Sequence, residues 1–429
     1  MITPCRSLTN TSRIKYSLQM KVWIKILAGS ILGIVLGVLL PHNDPNVTSA
    51  LIWLEALALR LGQYILAPLL FFSLAISIFE LRKDDRMWPI IFKTMGIILG
   101  SALLLTGIGL LVVNIFPPGR VPILKEGMKE AITLDVSQSI LDLFPENAFS
   151  ALFGSGAWLA PISVFAFFLG AGLSYEKTHA KTITNLVDSL ARVFYYVSAF
   201  FSELLGILMI ALAAYWAVEF REALKLEVFH DILILFGLTS AITAFLVMPL
   251  CLYLFGPKTN PWKPLYGSIG PAITALFSGN YNFCIPVLFR HAKENHGVRR
   301  RVNTLSITLF SLFARAGSTM IAVMALFIIL RSYSSLALEV GDIIGIGLTT
   351  IGISLVLSRH PGTGAYTALA VLCAWYGRDY EAGYLILKPI AFYLAAMGTL
   401  IDVVFASLGT WAIGKLEGAQ EEKEVIHYI

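Results

Sequence analysis

Residues 90–116 read "IIFKTMGIILGSALLLTGIGLLVVNIF", one lysine in an otherwise apolar run. About 20 such residues suffice to cross the hydrocarbon core of a bilayer. The pattern recurs in "WIKILAGSILGIVLGVLL", "ILILFGLTSAITAFLVMPLCLYLF" and "MIAVMALFIIL". In lipid every backbone N–H and C=O must find a partner within the protein, so runs like these read as helices. Composition agrees, because a soluble chain of 429 residues could not cover its core with 14% charged residues against 57% hydrophobic ones. The expected class is therefore an all-α polytopic membrane protein.

The net charge of +5 is not a nucleic-acid signal. Its basic residues sit in short connections, "ELRKDDR", "YEKTHAK", "GPKTNPWK" and "RHAKENHGVRRR", which the positive-inside rule assigns to the cytoplasm. "PHNDPN" and "YGRDYEAGY" fit the outer side. The cysteines, Cys5, Cys251, Cys284 and Cys373, have no metal spacing and read as buried thiols. Residues 1–20 form a polar, basic cytoplasmic tail without the apolar centre of a signal peptide, although Met20 would also serve as a start. Residues 417–429 form a second cytoplasmic tail.

Apolar spans fall near 22–41, 51–80, 88–116, 153–175, 186–217 and 228–256, with a polar segment at 117–150. The pattern then changes. Residues 262–294 are apolar at both ends and broken by "SGNYNFCIP"; 298–330 is a full span with Arg315 at its centre. Residues 340–376 are again broken, by "SRHPGTG", and 379–416 is a full span holding Asp402. Two interrupted segments in corresponding places point to the substrate site of a secondary transporter built from inverted repeats. Each half is too short to span alone, so each unit is expected to enter and return as a re-entrant helical hairpin, its tip lining a cavity. Two proline-kinked helices are the alternative.

In that order of elements the chain resembles the dicarboxylate/amino acid:cation symporter family, the glutamate-transporter homologues. "ITALFSGNYNFCIPVLFRHAKE" aligns without gaps on the family's first hairpin, "HPGTGA" on its second, "MGTLIDVVFASLGT" on its last helix and "FKTMGIILGSALLLTGIGLLVVNIFPPG" on its third span. The resemblance implies eight transmembrane helices and two hairpins, and a homotrimer in a bacterial inner membrane with both termini cytoplasmic. It also implies a scaffold (21–260, with 88–116 joining the moving part) and a transport domain (261–416). The transport domain would carry a small organic solute across as an elevator, with the second hairpin as gate.

The departures fall where the family binds its ligands. The serine-rich first tip becomes Asn280, Tyr281 and Asn282. The family's Asn-Met-Asp-Gly-Thr becomes Ala314, Arg315, Ala316, Gly317 and Ser318. Ala396 stands where an aspartate would hold an amino group, and Thr399 where an arginine would hold a side-chain carboxylate. Val403 and Ser407 replace the asparagine and aspartate that complete the site and one sodium position; Ile98, Ser101 and Ala102 replace sodium-binding Tyr, Thr and Ser. The usual sodium sites are thus degenerate, and no metal or other cofactor is implied beyond Na⁺ or H⁺ as a coupling ion.

Positive charge stands in their place. Arg315, deep in its span, is either a fixed cation for an anionic substrate or a structural lock paired with Asp402 or hairpin carbonyls. Asp402 lies about 100° round the helix from Val403, and is either a proton-coupling carboxylate or a structural ion pair. Arg359 and His360, with Pro361 and Gly362, form the second tip. The substrate set is Asn280, Tyr281, Asn282, Arg315, Ser318, Arg359, His360, Pro361, Gly362, Thr399 and Val403; the coupling set is Asp402, Ser407 and Ser101. The expected function is secondary transport of a dicarboxylate or amino acid, with an uncoupled facilitator or a non-transporting sensor as alternatives and an enzyme excluded.

Overall fold

A computed structural model describes residues 21–41, 44–117, 119, 121, 138, 141–153, 158–175, 179–333, 339–377 and 380–429. The tail at 1–20 with Cys5, most of the polar segment after residue 117 and part of "YEKTHAK" lie outside these. The described residues are helical throughout, with no strand beyond an isolated bridge between Val298 and Gln420.

The helices are α1 (Val22–Leu39), α2 (Pro45–Gln63), α3 (Leu66–Lys83), α4 (Met87–Ile115), α5 (Ala160–Tyr175) and α6 (Lys181–Leu224). A π-turn at Thr243–Val247 separates α7 (His230–Ile242) from α8 (Met248–Phe255). Then follow α9 (Trp262–Gly267), α10 (Ile269–Ser278), α11 (Tyr281–Glu294), α12 (Arg300–Phe313), α13 (Ala316–Tyr333), α14 (Val340–Val356), α15 (Gly364–Tyr376) and α16 (Ala391–Leu416). Among the described residues eight stretches are long and apolar enough to cross a membrane, the number expected, but their membership differs. They include Val340–Arg359, assigned above to the second hairpin, and omit Ala160–Tyr175, whose 16 residues fall short of a bilayer.

Local chemistry sets several boundaries. Asp44 caps α2 by accepting from the Asn46 N–H (2.9 Å), with Pro45 at the first helical position where its missing donor costs nothing. Gly279 takes φ +56° to close α10, a conformation open to glycine and costly for most other residues. The chain then doubles back. Asn295 Nδ2 donates to the Gly267 carbonyl (3.0 Å), bringing the two ends of the 262–294 unit together opposite its tip.

Helices α1 and α6 meet along a glycine stripe that sequence reading did not single out. A Cβ at Gly29, Gly33 or Gly37 would lie 1.9, 2.4 or 2.5 Å from carbonyl oxygens of α6. Small residues four apart let helix backbones approach where lipid offers no hydrophobic drive for association. Replacing Gly33 with leucine is expected to cost about 2 kcal/mol or more. Gly352→Leu, at a glycine with no heavy atom within 4 Å, is expected to cost little. Thermal unfolding of the two variants in detergent checks this, and equal melting temperatures would refute it.

Residues 417–429 do not trail free. The Arg299 N–H donates to Ala419 O and the Glu421 N–H to Gly297 O (both 2.9 Å). Gln420 Nε2 donates to His296 O (2.8 Å) and the Ile429 N–H to Asn295 Oδ1 (2.9 Å). Tyr428 stacks on Tyr266, which meets Trp23 of α1 edge-on, and Lys21 donates to Ile426 O. The segment straps α16, the base of the 262–294 unit and α1 together. His296, in the loop beneath the strap, bonds through Nε2 to Pro264 O (3.0 Å), and its buried Nδ1 has no partner among the described residues. Burial pulls its pKa down to about 4. Since the folded value lies below the unfolded one, its contribution to stability is full above about pH 6.5 and is lost as pH falls toward 4. Melting temperatures at pH 7 and pH 5 are expected to differ less in His296→Leu than in the wild type; equal differences would overturn this.

Candidate functional site

Four elements converge at one place: the tip between α10 and α11, the tip between α14 and α15, the break between α12 and α13, and the middle of α16. The tips touch, because the Tyr281 N–H donates to Pro361 O (3.0 Å) and Gly362 lies against the Asn280 amide. Asn280 caps α11, its Oδ1 accepting from the N–H groups of Asn282 (3.0 Å) and Phe283 (3.4 Å). Thr399 Oγ1 donates to the Gly279 carbonyl (3.0 Å), tying α16 to the first tip. Ala396 N lies near Gly279, so the short alanine side chain lets this tip sit close to α16.

Arg315 occupies the helix break. Ala314 leaves helical geometry (φ −106°, ψ 70°), and the chain re-enters the helix at Ala316. The Arg315 side chain is 3% exposed, and its guanidinium carbon sits 3.7 Å above the Tyr281 ring centre. Stacking on the electron-rich face stabilises the cation but leaves its N–H groups unused. Nε and Nη2 have no hydrogen-bond partner among the described residues. These two atoms form one edge of the guanidinium fork, the edge that receives a carboxylate through two parallel bonds.

Asp402 does not close that edge. Its Oδ1 accepts from the Gly317 N–H (2.6 Å), and its Oδ2 accepts from Ser318 Oγ (2.6 Å) and the Ser318 N–H (3.3 Å). No ion pair joins it to Arg315 among the described residues. The carboxylate caps α13 from the side, the task an N-cap residue usually performs from within the chain. The Arg315–Asp402 lock considered above is therefore not formed.

Other expected residues lie elsewhere. Ser407 bonds to Ser268 (2.8 Å) at the base of the 262–294 unit, and Ser101 turns back onto the Ile98 carbonyl of its own helix (2.7 Å). Val403 is buried in an apolar cluster with α3 and α12. Arg359 pairs with Asp142 (3.0 Å) and lies over Trp158, so its charge is spent on the segment before α5. His360 stays at the second tip, its Nδ1 without a partner among the described residues. Among the thiols, Cys284 and Cys373 are buried as expected, whereas Cys251 is only partly so. Sequence reading missed the glycines that close the site: a Cβ at Gly317 would meet Ile401 at 2.5 Å, and one at Gly398 would meet Ser318 at 2.8 Å. The signal was the small residues at 316–318 of α13 and Ala395, Ala396 and Gly398 of α16.

Residues 22–416 match the Sodium:dicarboxylate symporter family. The chain belongs to that family. Among similar proteins, excitatory amino acid transporter 3 of Oryctolagus cuniculus is 24% identical over 305 residues, 70% of this chain and 56% of that protein. The Homo sapiens transporter 3 is 28% identical over 220 residues (51% and 41%), and the Homo sapiens transporter 1 is 27% identical over 175 (41% and 32%). The chain spans about half the length of these relatives, or less. The symporter family is one of transporters rather than enzymes, and the eight long apolar helices among the described residues make this chain a multi-pass membrane protein.

Proposed function

We propose that this chain is a secondary transporter of a small carboxylate, with Arg315 as the fixed cation of the substrate site. The observation that carries the reading is the Nε/Nη2 edge of a buried guanidinium, without a hydrogen-bond partner among the described residues, where both tips meet. A buried charge without hydrogen-bond acceptors is expensive, and a substrate carboxylate supplies them. The N-termini of α11, α13 and α15 also face this region, and their partial positive charges favour an anion. An amino group has nothing to bind, since Ala396 stands at its place and every oxygen of Asp402 is already engaged.

In this reading the units 262–294 and 340–376 are re-entrant hairpins, the second acting as gate. They move with α4, α12, α13 and α16 as an elevator against a scaffold of α1–α3, α5 and α6 within a homotrimer. By the positive-inside rule the basic loops support a cytoplasmic position for both termini, in a bacterial inner membrane. Arg315 takes the role that sodium ligands would otherwise share, so transport does not require a sodium gradient. The loss of those ligands also favours a second reading, an uncoupled facilitator.

Uptake into proteoliposomes of paired solutes, succinate with aspartate and lactate with alanine, tests this under sodium, proton or no gradient. The expected result is sodium-independent uptake of the amine-free member of a pair. Strict sodium dependence would overturn the fixed-cation role. Accumulation against a gradient under any ion drive would exclude the uncoupled facilitator.

A further inference from the structure

A trough of about 580 Å³ lies between α4, α8 and α16, away from the substrate site. Apart from Lys93 at one end and Ser101, whose hydroxyl turns back onto the Ile98 carbonyl, its wall is apolar: Gly96, Gly100 and Leu104 of α4, Cys251 and Phe255 of α8, and Phe405 of α16. A Cβ on Gly96 or Gly100 would meet no heavy atom within 4 Å, so these glycines open the trough. At one end stands Lys93, half exposed and paired with Glu417 (2.5 Å). That end coincides with the start of α4 and the ends of α8 and α16, and therefore with one face of the membrane.

The dimensions select the occupant. From Lys93 to Leu105 the α4 wall rises about 18 Å at 1.5 Å per residue. That is close to half of a hydrocarbon core of about 30 Å, the depth of one leaflet. A molecule filling this space is apolar for one leaflet and at the interface meets the Lys93–Glu417 pair together with Arg86, which donates to the Glu417 carbonyl (3.2 Å) and leaves this end with a net positive charge. We propose that the trough holds one acyl chain of an anionic phospholipid, with its phosphate on Lys93.

The occupant would wedge α4 against α16. Phe405 of its wall packs edge-on against Phe310 of α12 (ring centres 5.5 Å apart), and α4 contacts α13 through Gly109. The lipid therefore sits between two elements that flank the substrate site without touching the substrate.

Cys251 provides a native reporter. In a Cys5→Ser background its N-ethylmaleimide labelling is measured in detergent without lipid, with phosphatidylcholine and with phosphatidylglycerol. Phosphatidylglycerol is expected to slow labelling, and to act at about fivefold lower concentration than phosphatidylcholine, the preference expected from one lysine near the interface. Lys93→Gln is expected to abolish that preference while keeping some protection by both lipids. Gly100→Leu, which fills the trough, is expected to stop copurified phosphatidylglycerol from being retained in native mass spectrometry. Labelling at one rate in all three conditions would overturn the proposal. So would protection that follows protein concentration instead of lipid, because a second copy of the chain would then cover this face.

Discussion

Arg315→Met is expected to abolish carboxylate binding while leaving the unliganded protein as stable as before, or more so. Two charge-assisted bonds at about 1.5–3 kcal/mol each correspond to a loss of roughly 10²–10⁴-fold in affinity. Arg315→Lys keeps a charge but not the fork, and should recover only part of that loss. The stability half separates a binding residue from a structural one. A guanidinium with two unused donors is a liability to the empty protein, and an apolar side chain of similar length removes it. Melting curves with and without the transported carboxylate check both halves. A large fall in the unliganded melting temperature would show that Arg315 holds the fold together and would sink the substrate assignment.

The second large effect is expected at Asp402. Alanine there removes the acceptors of two buried N–H groups and one hydroxyl, and each orphaned donor costs about 1–3 kcal/mol. A loss of at least about 3 kcal/mol should follow, felt first at the start of α13. Asp402→Asn retains one oxygen and should cost less. Asparagine also distinguishes the cap from a proton carrier. As a cap, Asp402→Asn lowers the melting temperature and leaves the ion dependence of transport unchanged. As a carrier, it would eliminate proton-driven accumulation with little change in stability.

Much of this architecture is legible in the chain because lipid permits so few solutions. Runs of 20 or more apolar residues have to become helices, and the breaks within 278–286 and 358–364 have to hold turns with somewhere protected to sit. The site itself was legible by face but not by depth. Thr399, Val403 and Ser407 do share a side of α16, yet Ser407 lies two turns from Thr399, about 12 Å along the axis. There it meets Ser268 instead of the tips. The stacking of Arg315 on Tyr281 could not be read, because it joins residues whose meeting depends on how a helix break faces a turn. The strap at 417–429 was missed for a related reason. Each of its hydrogen bonds described above has a main-chain group on at least one side, for which a sequence carries almost no signature. The partner of Arg359 was equally hidden, since nothing local marks Asp142 as its counter-ion.

The contact that joins the two tips also has a consequence for genetics. The Tyr281 N–H and the Pro361 carbonyl belong to the main chain. An alanine scan across both tips would leave this bond standing at every position and would record the junction as dispensable. Only a change that deletes the N–H itself would break it, such as an ester in place of the 280–281 amide. A catalogue of tolerated substitutions would thus pass over the place where the two tips are fastened.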